Sequence, residues 1–131
     1  PQAEYYHPQR SAGTLMCYYR HHVHPDPLLL PGLQDITAHV DFTAIAEAGL
    51  QAGFEIGGYT TQAFFLMGCG LDDILAASDP DAVESHMRLV QEIRRLTLPT
   101  GMGEQFKVLA MTRGIEIPLM GFDMRDQRER L

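Results

Sequence analysis

Lysine, paired cysteines and long apolar runs are all scarce in this chain of 131 residues, and each scarcity excludes something. No apolar stretch approaches the roughly 20 residues that a membrane-crossing helix needs, and none resembles a signal-peptide core, so no membrane role is expected. Cys17 and Cys69 are the two cysteines. They are too few for a disulfide framework and suit a reducing compartment, so a bacterial cytoplasm is the expected location. Basic residues number 10 against 17 acidic ones, a net charge of -7. That balance argues against nucleic acid as a partner, because phosphates need a basic face to neutralise them. Lys107 is the single lysine. A GC-rich coding bias explains the arginine excess as well as planar guanidinium chemistry does. The chain also lacks a G-x-S-x-G elbow, a His-Glu-x-x-His pair, a Cys-x-x-Cys pair and a G-x-G-x-G loop after a strand. It opens at Pro1 with no initiator Met, and the expectation is a fragment of something longer.

What is present is a globular composition, 45% hydrophobic, of a length that suits one domain over residues 1–131. A loop-rich segment, 1–41, holds five of the eight prolines and one clear strand, Thr14 to Tyr19. Prolines between Pro25 and Gly32 forbid a helix there and predict an apolar loop that packs onto something. Asp41 then caps a helix whose stop is Gly53, with Phe42, Ile45, Ala46 and Leu50 near one face. Phe54 to Tyr59 reads as a strand, and Thr60 as the cap of a helix carrying Phe64 to Met67. A long helix is predicted from Ser78 or Asp79, with Pro80 at its first position, to about Leu96. Its apolar stripe is Val83, Met87, Val90 and Ile93. Gln105 to Thr112 is the best strand, apolar enough for the interior of a sheet. The segment 123–131 is charged and is expected to end in solvent. The layout is α/β with too few strands to flank that interior strand, so part of the sheet is expected to be missing or to come from a second copy.

Two constellations could carry chemistry. Arg20 to Asp26 contains His21, His22 and His24, and His22 and His24 share one face of a strand, a spacing known among metal ligands. A polar loop with hydrogen-bonded histidines explains it too, and with no third ligand at a convincing spacing no metal site is expected. Asp35 to Phe42 is the second. Extended backbone would put Asp35, Thr37, His39 and Asp41 on one side and Ile36, Ala38 and Val40 on the other. The polar side could grip a cationic or hydrogen-bonding substrate, or Asp41 could cap the helix while the rest face water. Asp41 can serve both. Tyr59 to Gln62 forms a weaker polar cluster at a strand end, and Tyr18-Tyr19 reads as packing.

Taken together, Gly13-Thr14-Leu15, His21, His24 and the block from Pro31 to Phe42 (PGLQDITAHVDF) resemble the MidA-like family of S-adenosylmethionine-dependent methyltransferases. That family includes a mitochondrial complex I assembly factor that methylates arginine. Thr60 to Gly70 and Gly103 to Gly114 also resemble its C-terminal half, and the likeness runs from about Glu4 to Phe122. The resemblance implies the C-terminal part of a Rossmann-like α/β fold with an incomplete sheet whose last two strands, at Phe54 to Tyr59 and Gln105 to Thr112, are antiparallel. It implies S-adenosylmethionine as cofactor, held mostly by a part of the family pattern that has no counterpart here, and a protein substrate bearing arginine. The substrate side is what it carries over: His21, His24 and Asp41 in catalytic roles, and Asp35, Thr37 and Gln62 against the substrate. A homodimer through the open sheet edge is a further expectation. The competing readings are an assembly module that recruits a partner through the Pro25–Gly32 loop, and a metal-dependent hydrolase built on His21, His22, His24 and Asp26.

Overall fold

The computed structural model describes residues 6–8 and 11–131. The chain divides into two units, residues 1–45 and 46–131.

The first unit is built on a three-stranded antiparallel sheet of order β2-β1-β3. Its strands are β1 (Met16–Tyr19), β2 (His22–His24) and β3 (Asp35–Thr37). Tyr19 pairs with His22, so Arg20 and His21 are the two loop residues of a tight hairpin. Both take positive φ, 44° and 70°. This is the backbone of a turn whose twist matches that of the strands, and it favours Asn-Gly over a basic pair. The Arg20→Asn, His21→Gly double variant is therefore expected to gain about 1 kcal/mol from relieved strain, read as a raised thermal midpoint of this unit. A midpoint at or below the parental one would show that the two residues adopt these angles without strain.

The connection from Pro25 to Gln34 is braced internally. The Leu28 amide donates to Asp26 Oδ1 (2.9 Å), and Gln34 Nε2 donates to the Pro27 carbonyl (2.7 Å). The expected extended wall from Asp35 to Asp41 is shorter than its alternation suggested, because regular pairing with β1 stops at Thr37. Residues 38–41 then run irregularly to the next helix, with the His39 amide donating to Thr14 Oγ1 (3.1 Å).

Helix α1 (Phe42–Gln51) starts and stops where its signals lie. Asp41 Oδ1 accepts from the Ala44 amide (3.1 Å), and the Asp41 carbonyl accepts from Ile45 (3.2 Å). At the other end Gly53 turns to φ 81°, its amide bonds to Leu50, and the Phe54 amide reaches Gly49. This paired 5→2 and 6→1 closure is why glycine ends the helix. Arg113 seals the same end, donating to the carbonyls of Ala52 and Gly53 with its guanidinium 4.4 Å from the Phe54 ring. A cation there also opposes the negative end of the helix dipole. Ala46 and Gly49 are the buried positions, and Ile45 and Leu50 of the expected face are exposed.

The second unit centres on an antiparallel pair, β4 (Glu55–Thr61) and β5 (Lys107–Thr112). A bulge at Gly57 shifts the register between Ile56 and Gly58. β4 passes directly into α2 (Gln62–Gly68), capped by Thr61 rather than Thr60, and α3 (Leu71–Ala76) follows. The long helix, α4, covers Val83–Thr97. It begins later than Ser78 or Asp79, because Asp79 Oδ1 is used in a local turn to the Asp81 amide (3.0 Å). Its half-buried face is His86, Leu89, Val90, Ile93, Leu96 and Thr97, so Val83 and Met87 of the expected stripe lie in solvent.

The charged C-terminal segment is anchored on β4, while most of its side chains, Arg128 to Arg130 among them, are exposed as expected. Phe122 is buried against Phe65 (ring centroids 5.4 Å apart), and Gln127 is 4% exposed. The Gln127 amide donates to the Tyr59 carbonyl (2.7 Å), the Tyr59 amide donates to Asp126 Oδ1 (3.3 Å), and Arg128 Nη1 donates to the Ile56 carbonyl (3.0 Å). These bonds satisfy the edge of β4 that faces away from β5. β5 is half-buried along most of its length and pairs with β4 alone among the described residues, not in the interior of a sheet as its composition suggested. A copy-to-copy pairing in this unit would have to use the β5 edge.

Candidate substrate-side site

Antiparallel register decides which side chains of the first unit can act together, since residues directly opposite share a face. Tyr18 stands opposite Asp35 and Val23, and Met16 opposite Thr37. Those five side chains form one face, and all are exposed. Cys17 stands opposite His24 and Ile36, and Tyr19 opposite His22, on the other face. Asp35 and Thr37 therefore act together, and the sheet separates them from His24.

Each remaining candidate has a distinct setting. His21 occupies the hairpin turn and is exposed. His24 is half-buried beside the fully buried Cys17, and both of its ring nitrogens are shielded without a hydrogen-bond partner among the described residues. Asp41 uses Oδ1 as a helix cap, whereas its Oδ2 is shielded and unpartnered. A shielded carboxylate oxygen with nothing to accept from is costly, by about 1–3 kcal/mol. Gln62 lies in the second unit, where its Nε2 donates to the Leu96 carbonyl (2.9 Å) and ties α2 to the end of α4. Tyr59, Thr60 and Thr61 are buried, so that polar cluster faces the interior. Among the described residues no three His, Cys, Asp or Glu side chains gather to hold a metal, which leaves the hydrolase reading without a centre. No helix among them is long and apolar enough to cross a membrane.

The residue that sequence reasoning passed over is Tyr18. Read as packing, it is 44% exposed and flanks Asp35. Only the register between β1 and β3, two strands well separated in the chain, reveals this.

Comparison with known proteins places these features in a family. A family model described as "Putative S-adenosyl-L-methionine-dependent methyltransferase" matches residues 1–60. A crystal structure from Burkholderia thailandensis, bound to S-adenosyl-homocysteine, overlays the whole chain with a TM-score of 0.92 and 49% identity. The chain belongs to the MidA-like S-adenosylmethionine-dependent methyltransferases. Among curated relatives, a Drosophila melanogaster protein named as a mitochondrial homolog of the arginine methyltransferase NDUFAF7 is 32% identical over 91% of this chain. The mitochondrial arginine methyltransferase NDUFAF7 of Danio rerio is 31% identical over 82% of it. The chain spans 29% of the Drosophila relative, 25% of the Danio one and 34% of the crystallised protein.

A glycine-rich loop between a strand and a helix, open to the ligand, is one way in which proteins cradle a nucleotide-bearing cofactor. β4 enters α2 without a loop, and Gly101 and Gly103 lie against the backbone of Arg95 and Thr97 with no room for a side chain.

Proposed function

We propose that this chain forms the C-terminal, substrate-side part of a Rossmann-like methyltransferase that methylates arginine in a protein substrate. The reading rests on the full-length overlay with a protein bound to S-adenosyl-homocysteine, together with the arginine-methyltransferase names of the curated relatives. Asp35 and Thr37 meet the substrate on the exposed sheet face, and Asp41 Oδ2, shielded at the start of α1, supplies a second carboxylate contact once the arriving substrate uncovers it. Carboxylates suit a guanidinium because they accept paired, charge-assisted hydrogen bonds from it. Gln62 lies in the second unit, where one N–H of its side-chain amide is held by the Leu96 carbonyl. Of the two histidines to which the resemblance gives catalytic roles, His21 is exposed and open to a substrate, whereas the ring nitrogens of His24 are shielded. Positioning is the main task of such a site. A reducing cytoplasm is the compartment that suits its free thiols.

The test has two arms. The polypeptide long enough to contain these residues and the missing cofactor loop is incubated with S-adenosylmethionine and an arginine peptide, and mass spectrometry reads the product. One added methyl group on arginine is expected; transfer to lysine only, or to nothing, overturns the reading. The 131-residue chain alone is expected to release no measurable heat when titrated with S-adenosylmethionine. Micromolar binding by calorimetry would show that the cofactor site lies within it.

One observation favours a second reading, an assembly module. The internally braced loop after β2 leaves Leu28, Leu29 and Leu33 80%, 59% and 66% exposed. Apolar side chains held outward by a rigid loop favour a protein neighbour over water.

A further inference from the structure

Among the described residues, three aromatic rings already carry a guanidinium. Arg20 lies 5.3 Å from the Tyr19 ring, Arg113 4.4 Å from Phe54, and Arg125 5.1 Å from Phe64. Tyr18 carries none among the described residues, although it is exposed and central in its sheet. Directly across from it stands Asp35, an exposed carboxylate with no hydrogen bond or ion pair among the described residues. Val23 flanks Tyr18 on the other side, and Met16 and Thr37 continue the same face.

We propose that Tyr18 and Asp35 form a guanidinium-binding site that selects an arginine side chain of the protein substrate. The ring takes the flat face of the guanidinium, and the carboxylate accepts from its edge. Val23 and Met16 offer apolar surface to the aliphatic stem. A carboxylate alone would accept lysine as readily. A ring face beside it favours the planar, delocalised cation, which stacks and donates in a fork at the same time. Charge complementarity points the same way: the carboxylate is unpaired among the described residues of a chain of net charge -7, so a cation is the fitting occupant. Tyr18 is thereby a specificity-determining residue. This assignment rests on the proposed arginine substrate and names the groups that recognise it.

The test titrates the 131-residue chain, with its tyrosine rings isotopically labelled, against a Gly-Arg-Gly peptide and its citrulline counterpart. Citrulline keeps the shape and removes the charge. Saturable shifts of the Tyr18 ring signals are expected with the arginine peptide and not with citrulline. Tyr18→Leu and Asp35→Asn are each expected to weaken arginine binding about threefold to tenfold, the range of an exposed cation–π or charged contact. Tyr18→Phe keeps the ring and is expected to bind within about twofold of the parent, which also shows that an altered residue 18 leaves the sheet folded. Equal binding of citrulline, or parental affinity in Tyr18→Leu, overturns the site. Failure here is separable from failure of the functional reading. Arginine binding without any methyl transfer by the longer polypeptide overturns the reading and leaves the site standing. Arginine methylation at the parental rate and KM in Tyr18→Leu overturns the site and leaves the reading.

Discussion

Phe122→Ala is expected to cost the second unit about 3 kcal/mol, the lower end of the range for truncating a buried phenylalanine. The ring is 8% exposed, meets Phe65 edge to face, and lies where a side chain on Gly58 would otherwise stand. Removing it leaves a cavity over β4 that cannot close, because Gly58 has no side chain to move into it. The loss also loosens the bonds that residues 126–128 make to Tyr59 and Ile56, since Phe122 anchors the segment that carries them. Urea denaturation followed by circular dichroism measures it as a lowered midpoint with an unchanged slope. Met120→Ala is the control: at 72% exposure it is expected to change stability by less than about 0.5 kcal/mol. A cost below about 1 kcal/mol for Phe122→Ala would mean that the tail does not hold the strand edge.

That tail illustrates what a sequence of this kind conceals. Residues 123–131 are rich in charge, and charge density reads as solvent. Their docking depends on backbone bonds to β4 and on one carboxylate, Asp126, and neither leaves a periodic trace. Local signals fared better. Asp41 and Gly53 bound α1 where a cap and a left-handed stop belong, and β4 and β5 lie within two residues of the expected strands. The Ser78-Asp79-Pro80 start failed because the same residue types also make turns, and a turn won there. At the candidate site, alternation correctly placed Asp35 and Thr37 on one side. Alternation within one strand cannot place His24 relative to them, because that depends on how β1 pairs with β2 and β3. Pairing depends in turn on a hairpin loop of Arg20 and His21, residues that carry no turn preference and adopt positive φ only in context.

Asp41→Asn should separate capping from charge at the one carboxylate that has both. Asparagine caps a helix about as well as aspartate, so the variant is expected to stay within about 0.5 kcal/mol of the parent, whereas Asp41→Ala loses roughly 1 kcal/mol along with the bond to the Ala44 amide. If Asp41 served the helix alone, activity would follow stability, and Asn would rescue what Ala loses. The shielded Oδ2 argues otherwise. A shielded carboxylate oxygen with no donor among the described residues costs about 1–3 kcal/mol, a cost that an arginine guanidinium would offset. Removing the charge while keeping the shape is then expected to lower kcat/KM for methyl transfer by the longer polypeptide about a hundredfold, the worth of a hydrogen bond between charged groups at about 2–3 kcal/mol. Asn and Ala should be equally impaired in transfer despite differing in stability, and cofactor affinity should be unchanged in both. Parental transfer by Asp41→Asn would return Asp41 to the helix and leave Asp35 as the carboxylate that recognises the substrate.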